Sequence, residues 1–523
     1  MGVLIIVSAR RPVGPCTSNT LLITVLYKTI GAFIVLPHII HRGEVGMLEA
    51  KREDIIVGSV TRWLNNPFTK AALRFVCEKS SNGNSRLELA IRRYVGEDLS
   101  FGFHDRIAYW IVKMVLDRGK SIFGYKEDLR KHLRDPVVRR GIVNVLSGIA
   151  RYGARRPFTS IAPFLVVWNY TRACNLNCKH CYEDARREPA PDELTTEEAK
   201  RVIEQLEEAG VVAIAFSGGE PLARRDIYEV AGYAKERDFF VSIATNGTLI
   251  TRETAQKMKR VFDYVEISLD GLEKTHDEFR GIPGAWRRAC EGIKNCVAAG
   301  LDTCVAITAT KYNLAEIPKL VDFAERELNV RRVIVFNYVP TGRGKEMMNR
   351  DLSPQERHEL LKFLFERMLR SGLVCYSTAP QYCMISWEHA YGMYTGVVAT
   401  HFTTREAMKM LQGRTKSLAE FLGGCGAGRL YCGLEPNGDI TPCVFMPIKL
   451  GNIKKDRLVD IWEKSEVLWK LRDRDSLEGC SSCQYRYVCG GCRARAYGYY
   501  GDVRAPDPGC IHNLRYWKEL RAS

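Results

Sequence analysis

The 523-residue sequence has no uninterrupted apolar run of the ~20 residues that a membrane-spanning helix needs. Its most apolar stretch, Leu21 to Leu36, is broken by Lys28 and ended by Pro37. No small-residue cleavage site follows, so a secretory signal is not indicated either. For residues 1–46 the expectation is a misassigned start, with translation beginning at Met47, ahead of an interfacial anchor and of a true span. The chain also lacks a short-period internal repeat and a recognisable RNA-binding module. Positive charge is in excess, 77 Lys and Arg against 61 Asp and Glu for a net of +16, but it is unevenly spread. Residues 118–156 hold eleven Lys or Arg against three acids, half of the whole excess. A single basic segment in a mildly basic chain excludes general nucleic-acid binding, and no nucleic acid is expected as a partner.

What the chain has in plenty is cysteine, eighteen in all. Eight fall between Cys425 and Cys510, and three more lie within eight residues at Cys174, Cys178 and Cys181. A secreted disulfide fold is short and spreads its cysteines along the chain; clusters like these are metal chemistry in a reducing cytoplasm. At 46% hydrophobic residues, the chain can pack two or three domains around such sites.

Residues 47–157 read as helical. Ile107 to Leu116 is densely apolar, and Val137, Val138, Ile142, Val145, Leu146 and Ile149 recur at helical spacing among Arg134, Arg139, Arg140 and Arg151. The favoured reading is a cap packed on the next domain with solvated arginines; the other is a surface for acidic partners or anionic lipid, a weak membrane-surface contact. From about 160, short β-rich runs alternate with helices: Phe164–Tyr170, Val211–Phe216, Phe239–Ala244, Tyr264–Leu269, Thr303–Thr308 and Arg332–Tyr338. Helix patterns such as Thr196–Ala209, with Thr195 as N-cap, separate them. Six βα units imply parallel strands, and six are too few to close an eight-stranded barrel. The expected fold is therefore α/β, a partial (β/α)6 TIM-like barrel over residues 158–345. A helical region precedes it, a bridging helical region fills 346–420, and a cysteine-rich domain fills 421–523.

After the first strand comes Cys174-Asn175-Leu176-Asn177-Cys178-Lys179-His180-Cys181, a C-x3-C-x2-C loop with no fourth cysteine nearby. Three thiolates leave one metal position open, as a catalytic site requires and a structural zinc site avoids. His180, wedged before Cys181, makes a poor fourth zinc ligand. The loop also leaves the C-terminal end of a parallel strand, where barrel enzymes keep their chemistry.

This loop resembles the signature of the radical S-adenosylmethionine (SAM) superfamily, and the likeness runs on to about residue 345. Ser217-Gly218-Gly219-Glu220-Pro221 resembles the glycine-rich edge that meets the SAM amino group. Ile267-Ser268-Leu269-Asp270-Gly271 matches the strand whose polar groups lie near the ribose. Arg280 resembles the arginine that pairs with the SAM carboxylate, although on its own it would read as an ion pair with Glu278 or Glu273. Val339-Pro340-Thr341-Gly342 resembles the adenine-side edge. The resemblance implies a [4Fe–4S] cluster on Cys174, Cys178 and Cys181, with His180, Gly218, Gly219, Glu220, Ser268, Asp270 and Arg280 on the SAM side.

The tail, CGAGRLYCGLEPNGDITPC followed by Cys480, Cys483, Cys489, Cys492 and Cys510, resembles the SPASM extension of radical SAM maturases. That extension carries auxiliary four-iron clusters, and eight thiolates would fully ligate two. By analogy the first takes Cys425, Cys432, Cys443 and Cys492, and the second Cys480, Cys483, Cys489 and Cys510. The Cys489–Cys492 spacing is one residue shorter than the common form, and Cys432 is additional to the minimal pattern. A zinc knuckle is the alternative for Cys480–Cys492. Full ligation would favour electron transfer; were Cys432 not a ligand, one iron would be open and that conclusion would reverse. Cys290, Cys296 and Cys304 read as core packing, while Cys375 and Cys383 flank a segment that could line the cavity.

The resemblance implies an anaerobic oxidoreductase or maturase. One electron from a reductant such as ferredoxin or flavodoxin would cleave SAM, and the 5′-deoxyadenosyl radical would take a substrate hydrogen inside a dry barrel. Gly491-Cys492-Arg493-Ala494-Arg495-Ala496-Tyr497 and Asp507-Pro508-Gly509-Cys510 resemble strings of the haem-biosynthesis radical SAM enzymes; peptide and tungsten-cofactor maturases share much of the pattern. The substrate is thus expected to be a tetrapyrrole or a peptide, with a lipid, or an electron-transfer or scaffold role without SAM chemistry, as alternatives.

Overall fold

The computed structural model describes residues 61–123, 129–389 and 420–522, so the expectation for residues 1–46 lies outside the described residues. Among the described residues no helix is long and apolar enough to cross a membrane.

The helical region comprises Pro67–Cys77, Arg86–Tyr94, Phe103–Phe123, Leu129–Leu133 and Pro136–Tyr152. Asn66, Ser85 and Asp135 cap three of these helices, each side chain accepting an otherwise orphaned amide. Leu73, Ile91, Val112, Ile142 and Val145 bury the shared face. Of the arginines expected to be solvated, Arg134 and Arg151 are exposed, whereas Arg139 and Arg140 turn inward. Arg139 is buried and donates to Glu88 Oε1 at 2.9 Å. Arg140 donates to the Arg237 carbonyl at 2.8 Å, and Arg151 and Arg156 pair with Glu463 and Glu420. The helices are a cap keyed to both following regions; Arg139 and Arg140 are spent on internal partners, while the Arg151 and Arg156 pairs lie at the surface.

Six strands follow in register with the expected runs: β1 Leu165–Thr171, β2 Ala213–Gly218, β3 Phe240–Thr245, β4 Tyr264–Ser268, β5 Thr303–Ala309 and β6 Arg332–Asn337. Each is a nearly continuous apolar run because both faces of a parallel sheet are covered. The intervening helix Thr196–Ala209 starts in a capping box between Thr195 and Glu198 and stops at left-handed Gly210. Two short strands beyond the expected core extend the parallel arc at its edges. β7 (Val374–Ser377), from the bridging region, pairs with β6, and β8 (Tyr431–Leu434), from the tail, pairs with β1. β8 turns back antiparallel into β9 (Asp439–Thr441) and then β10 (Gly451–Asn452), so the sheet runs β10-β9-β8-β1-β2-β3-β4-β5-β6-β7 and stays open. The C-terminal ends of β1–β6 surround one cavity, and the tail closes over its β8 side.

Candidate active site and auxiliary cysteine sites

The loop after β1 is held by its own backbone and by a neighbouring helix. Cys174 N–H donates to the Arg186 carbonyl at 2.6 Å. Asn177 and Lys179 donate to the carbonyls of Arg280 and Phe279, at the end of helix Glu273–Arg280. Cys174 and Cys178 are buried, Cys181 is half-buried, and all three line the same cavity. Burial pushes the Cys174 thiol up to about 12, which a bound cation would reverse.

Gly218 and Gly219 line this cavity beside the cysteines. Their lack of side chains lets β2 meet the loop. A Cβ on Gly219 would lie 2.2 Å from the Ala173 carbonyl oxygen, where Gly219 N–H already donates to Thr171 at 2.7 Å. Glu220 sits behind the cavity wall, fully buried. Its carboxylate accepts from Thr245 Oγ1 (2.7 Å), Asn246 N–H (2.8 Å) and Leu222 N–H (3.1 Å), which fixes the end of β3. Asp270, also fully buried, accepts from Thr308 N–H and forms a 2.5 Å ion pair with Arg280. The surface pairings open to Arg280 in sequence do not form, because Glu273 pairs with Arg287 and Glu278 accepts from Tyr312. Arg280 instead lines the cavity and donates to Cys178 Sγ at 3.6 Å. His180 stacks on Phe279 with ring centres 4.1 Å apart; burial, then Arg280 and Arg343, holds it neutral, far below the ordinary histidine range.

The cavity lies among the C-terminal ends of the strands, with Phe445 of the tail on its wall. Ser268 lines it as expected. Ser217, from the glycine-rich edge, lines it too, and sequence reading missed Glu266, Thr308, Asn337 and Phe445, which lie on strand ends and loops without a motif of their own. Burial raises the Glu266 carboxyl to about 7. Asn337, Val339 and Phe445 also line a second cavity in the tail, so the two adjoin at these residues.

That second cavity takes in three of the four cysteines expected for the first auxiliary cluster. Cys425, Cys443 and Cys492 line it together, with Tyr431 donating to Cys443 Sγ at 2.7 Å. Cys432 does not line it. It is the next residue along β8, and successive side chains on a strand point to opposite faces, so Cys432 packs in the apolar core beside Val166. Burial alone raises its thiol, whereas Cys443 also feels Cys425, and Cys492 feels Cys425. Among the other four expected ligands, Cys510 is raised to about 12 by burial, with contributions from Asp507, Cys480 and Cys483, and Cys489 is raised by burial, Cys510 and Cys480, so these thiols lie within electrostatic reach of one another. The two groups meet where Cys425 N–H donates to the Cys489 carbonyl at 3.1 Å. Cys375 and Cys383 line neither cavity themselves, but Thr378 and Pro380 of the segment they flank line the second, and Cys290, Cys296 and Cys304 are buried in the core as expected.

The tail's buried charge fits anionic clusters. Arg429, Arg472, Arg474 and Arg493 are all but fully buried, and among the described residues none forms an ion pair with a carboxylate, although Asp507 feels the Arg493 charge. Arg429 donates only to carbonyls, including Phe158 at 2.8 Å. Burial pulls it down to about 9 and Arg472 to about 10. Guanidinium groups stay protonated in proteins, so these cations call for a counter-anion nearby. Thiolate-bound iron–sulfur clusters supply one; a disulfide would not, and none of the seventeen described cysteines is in a disulfide.

A cysteine-and-glycine cavity at the open end of a parallel β/α arc defines a radical SAM enzyme with a cluster-binding tail. The chain belongs to the Radical SAM superfamily, whose family model matches residues 168–324, and its tail matches the SPASM iron-sulfur cluster-binding domain at 425–484. It is 36% identical over 355 residues to the AdoMet-dependent heme synthase of Methanosarcina barkeri, covering 67% of this chain and 97% of that protein. It is 31% identical to the mycofactocin maturase MftC of Mycolicibacterium smegmatis (67% and 83%) and 30% identical to the pre-heme d1 synthase of Dinoroseobacter shibae (66% and 85%). In fold it is similar to Streptococcus suis SuiB bound to S-adenosylmethionine, with a TM-score of 0.57 at 20% identity, covering 78% of this chain and 90% of that one.

Proposed function

We propose that the chain is a radical SAM oxidase of a carboxylate-bearing tetrapyrrole, with residues 158–345 as the catalytic core and 421–523 as the auxiliary-cluster domain. One observation carries the reading. The cysteine loop and glycine edge share a cavity with Arg280 and Ser268, and Asn337, Val339 and Phe445 line both that cavity and the three-thiol cavity of the tail. Bound at Cys174, Cys178 and Cys181, a [4Fe–4S] cluster supplies the electron for reductive cleavage of SAM to a hydrogen-abstracting radical. The chain's own residues do the rest. Gly218 and Gly219 let backbone approach the amino acid end of SAM, Ser268 lies on the ribose side, and Arg280 is held by Asp270 with its remaining N–H groups facing the cavity. Glu220 and His180 act by holding strand and loop in place.

In the tail, Cys425, Cys443 and Cys492 would hold one auxiliary cluster with three thiolates, and Cys480, Cys483, Cys489 and Cys510 a second with four; such clusters would supply electron acceptance, with a ferredoxin- or flavodoxin-type protein as redox partner. The Cys425–Cys489 hydrogen bond joins the two groups. A tetrapyrrole is favoured because the names of two relatives with near-complete coverage refer to haem synthesis. A peptide substrate is the second reading, favoured by the likeness to a mycofactocin maturase.

The test is anaerobic incubation of reconstituted protein with dithionite, SAM and either iron-coproporphyrin or a precursor peptide encoded beside it. Formation of 5′-deoxyadenosine above the uncoupled background should occur with the porphyrin alone. Stimulation by the peptide alone refutes the tetrapyrrole. Release that persists when Cys174, Cys178 and Cys181 are all replaced by Ala refutes the radical SAM assignment at this loop.

A further inference from the structure

Of the buried arginines in the tail, two press directly on the loop that joins the auxiliary cysteine groups. Cys489-Gly490-Gly491-Cys492 passes from one group to the other with both glycines at positive φ. A Cβ on Gly490 would lie 2.7 Å from Arg474 Nε, and one on Gly491 would lie 2.5 Å from Arg493 Nη2. The glycines thus make room for guanidinium groups as well as for the turn. Arg493 points Nη2 at Cys480 Sγ, 3.8 Å away, and spends Nη1 on the carbonyls of Ala505 (2.9 Å) and Val503 (3.2 Å). Its Nε has no partner. Arg474 donates to the carbonyls of Gly423 (2.9 Å), Arg486 (3.0 Å), Cys425 (3.3 Å) and Tyr487, and so lies between the Cys425 and Cys489 ends.

The contrast with Arg495 is informative. Next to the same cysteines, Arg495 is neutralised by Asp507 in a two-point contact. Among the described residues no carboxylate accepts a hydrogen bond from Arg474 or Arg493, although Asp507 also lies within electrostatic reach of Arg493; the carbonyls around Arg474 solvate its charge without cancelling it. An oxidised four-iron cluster carries about two negative charges with four thiolates and about one with three, and reduction adds another. A buried cation close by stabilises the reduced, more negative state more than the oxidised one, so it raises the potential. A partnered arginine would do so far less.

We propose that Arg474 and Arg493 are the counter-charges that set the reduction potentials of the auxiliary clusters, Arg493 chiefly at the Cys480 group and Arg474 at both, keeping them poised as electron acceptors. This rests on the reading that both clusters form, and it adds which residues make them oxidants. Both are positioning residues in the electrostatic sense: neither lines the SAM cavity.

The experiment uses full-length chain with Cys174, Cys178 and Cys181 replaced by Ala, so that only auxiliary clusters titrate in an EPR-monitored potentiometric series. Arg493→Met and Arg474→Met should keep iron and sulfide content but shift the ratio of reduced to oxidised cluster at fixed potential at least tenfold toward oxidised. That corresponds to about 59 mV for a one-electron couple. Arg493→Lys and Arg474→Lys should stay within about threefold of the parent, since the cation is kept. Full cluster content with unmoved midpoints in both Met variants overturns the proposal. If the Met variants lose iron while the Lys variants hold it at parental potential, the positive charge is required and the proposal stands. If the Lys variants lose iron as well, the residues act by shape and the proposal falls. A parent chain with no auxiliary clusters overturns the underlying reading itself, before any arginine is changed.

Discussion

Replacing Asp507 by Asn is the sharpest probe of how the tail is held to the barrel. The carboxylate is fully buried and accepts five hydrogen bonds. Arg495 donates to it through Nε at 2.7 Å and Nη2 at 2.9 Å, Cys492 N–H and Gln381 Nε2 each at 2.6 Å, and Gly509 N–H at 3.1 Å. Arg495 in turn donates to Asn337 Oδ1 at 2.5 Å, at the junction of the two cavities. The Asn side chain keeps the shape but removes the charge and turns one acceptor into a donor facing other donors. Breaking one side of a buried pair costs ~3–5 kcal/mol, mostly as an uncompensated charge. At 1.4 kcal/mol per factor of ten, that is a hundredfold or greater rise in local opening. Amide hydrogen exchange across residues 489–495 should therefore quicken ~100-fold or more in Asp507→Asn. Adding Arg495→Met should recover part of the loss, because the stranded cation goes with it. Exchange within about threefold of wild type would refute the reasoning. Burial opposes the Asp507 charge, but Arg495 overrides it and holds the carboxyl far below the ordinary range. A depressed carboxyl contributes stability above its unfolded value, about 3.9, and loses it only as pH falls toward the folded one. The contact should thus survive mild acid.

Glu266 has the opposite sign: with its carboxyl raised to about 7 by burial, the folded state loses stability as pH climbs from about 4.5 to 7. Glu266→Gln should be more stable than the parent above pH 7 by up to ~3 kcal/mol at 1.36 kcal/mol per pH unit, with no advantage at pH 4; equal urea midpoints at pH 8 would count against it. Gly219→Ala must push the Ala173 carbonyl aside, so iron at the catalytic loop should be lost while the tail keeps its own. Gly372→Ala, with open space around it, should be silent in the same iron assay. Cys432→Ala should leave iron content unchanged and cost ~1–2 kcal/mol of packing, whereas Cys443→Ala should lose auxiliary iron; equal iron loss in both would restore Cys432 as a ligand.

The parts legible in sequence were those with dense local signals. β1–β6 fall within about two residues of the expected runs because doubly covered parallel strands are written as apolar blocks, and helix Thr196–Ala209 is bounded by a box and a glycine. The catalytic cysteines and their glycine edge also came together as expected. Other features escaped for identifiable reasons. β7 and β8 are four residues each, too short to show a period. Cys432 has ligand-like spacing, but which face of a strand a residue takes depends on the register of β8 against β1, which spacing does not encode. Arg139 and Arg140 look like a basic surface in one dimension; their partners, Glu88 and the Arg237 carbonyl, lie 51 and 97 residues away.

β8 carries a further consequence. It pairs with Leu165–Trp168, the first four residues of the strand that leads into the catalytic loop. A chain cut ahead of β8 would bare that flank as a run of unsatisfied amides and carbonyls bordered by buried valines and a tryptophan, a template for sticking to other molecules. The catalytic arc and its cysteine-rich cover should therefore fail to be separable as soluble pieces. Evolutionary exchange of one cover for another would have to bring its own edge strand.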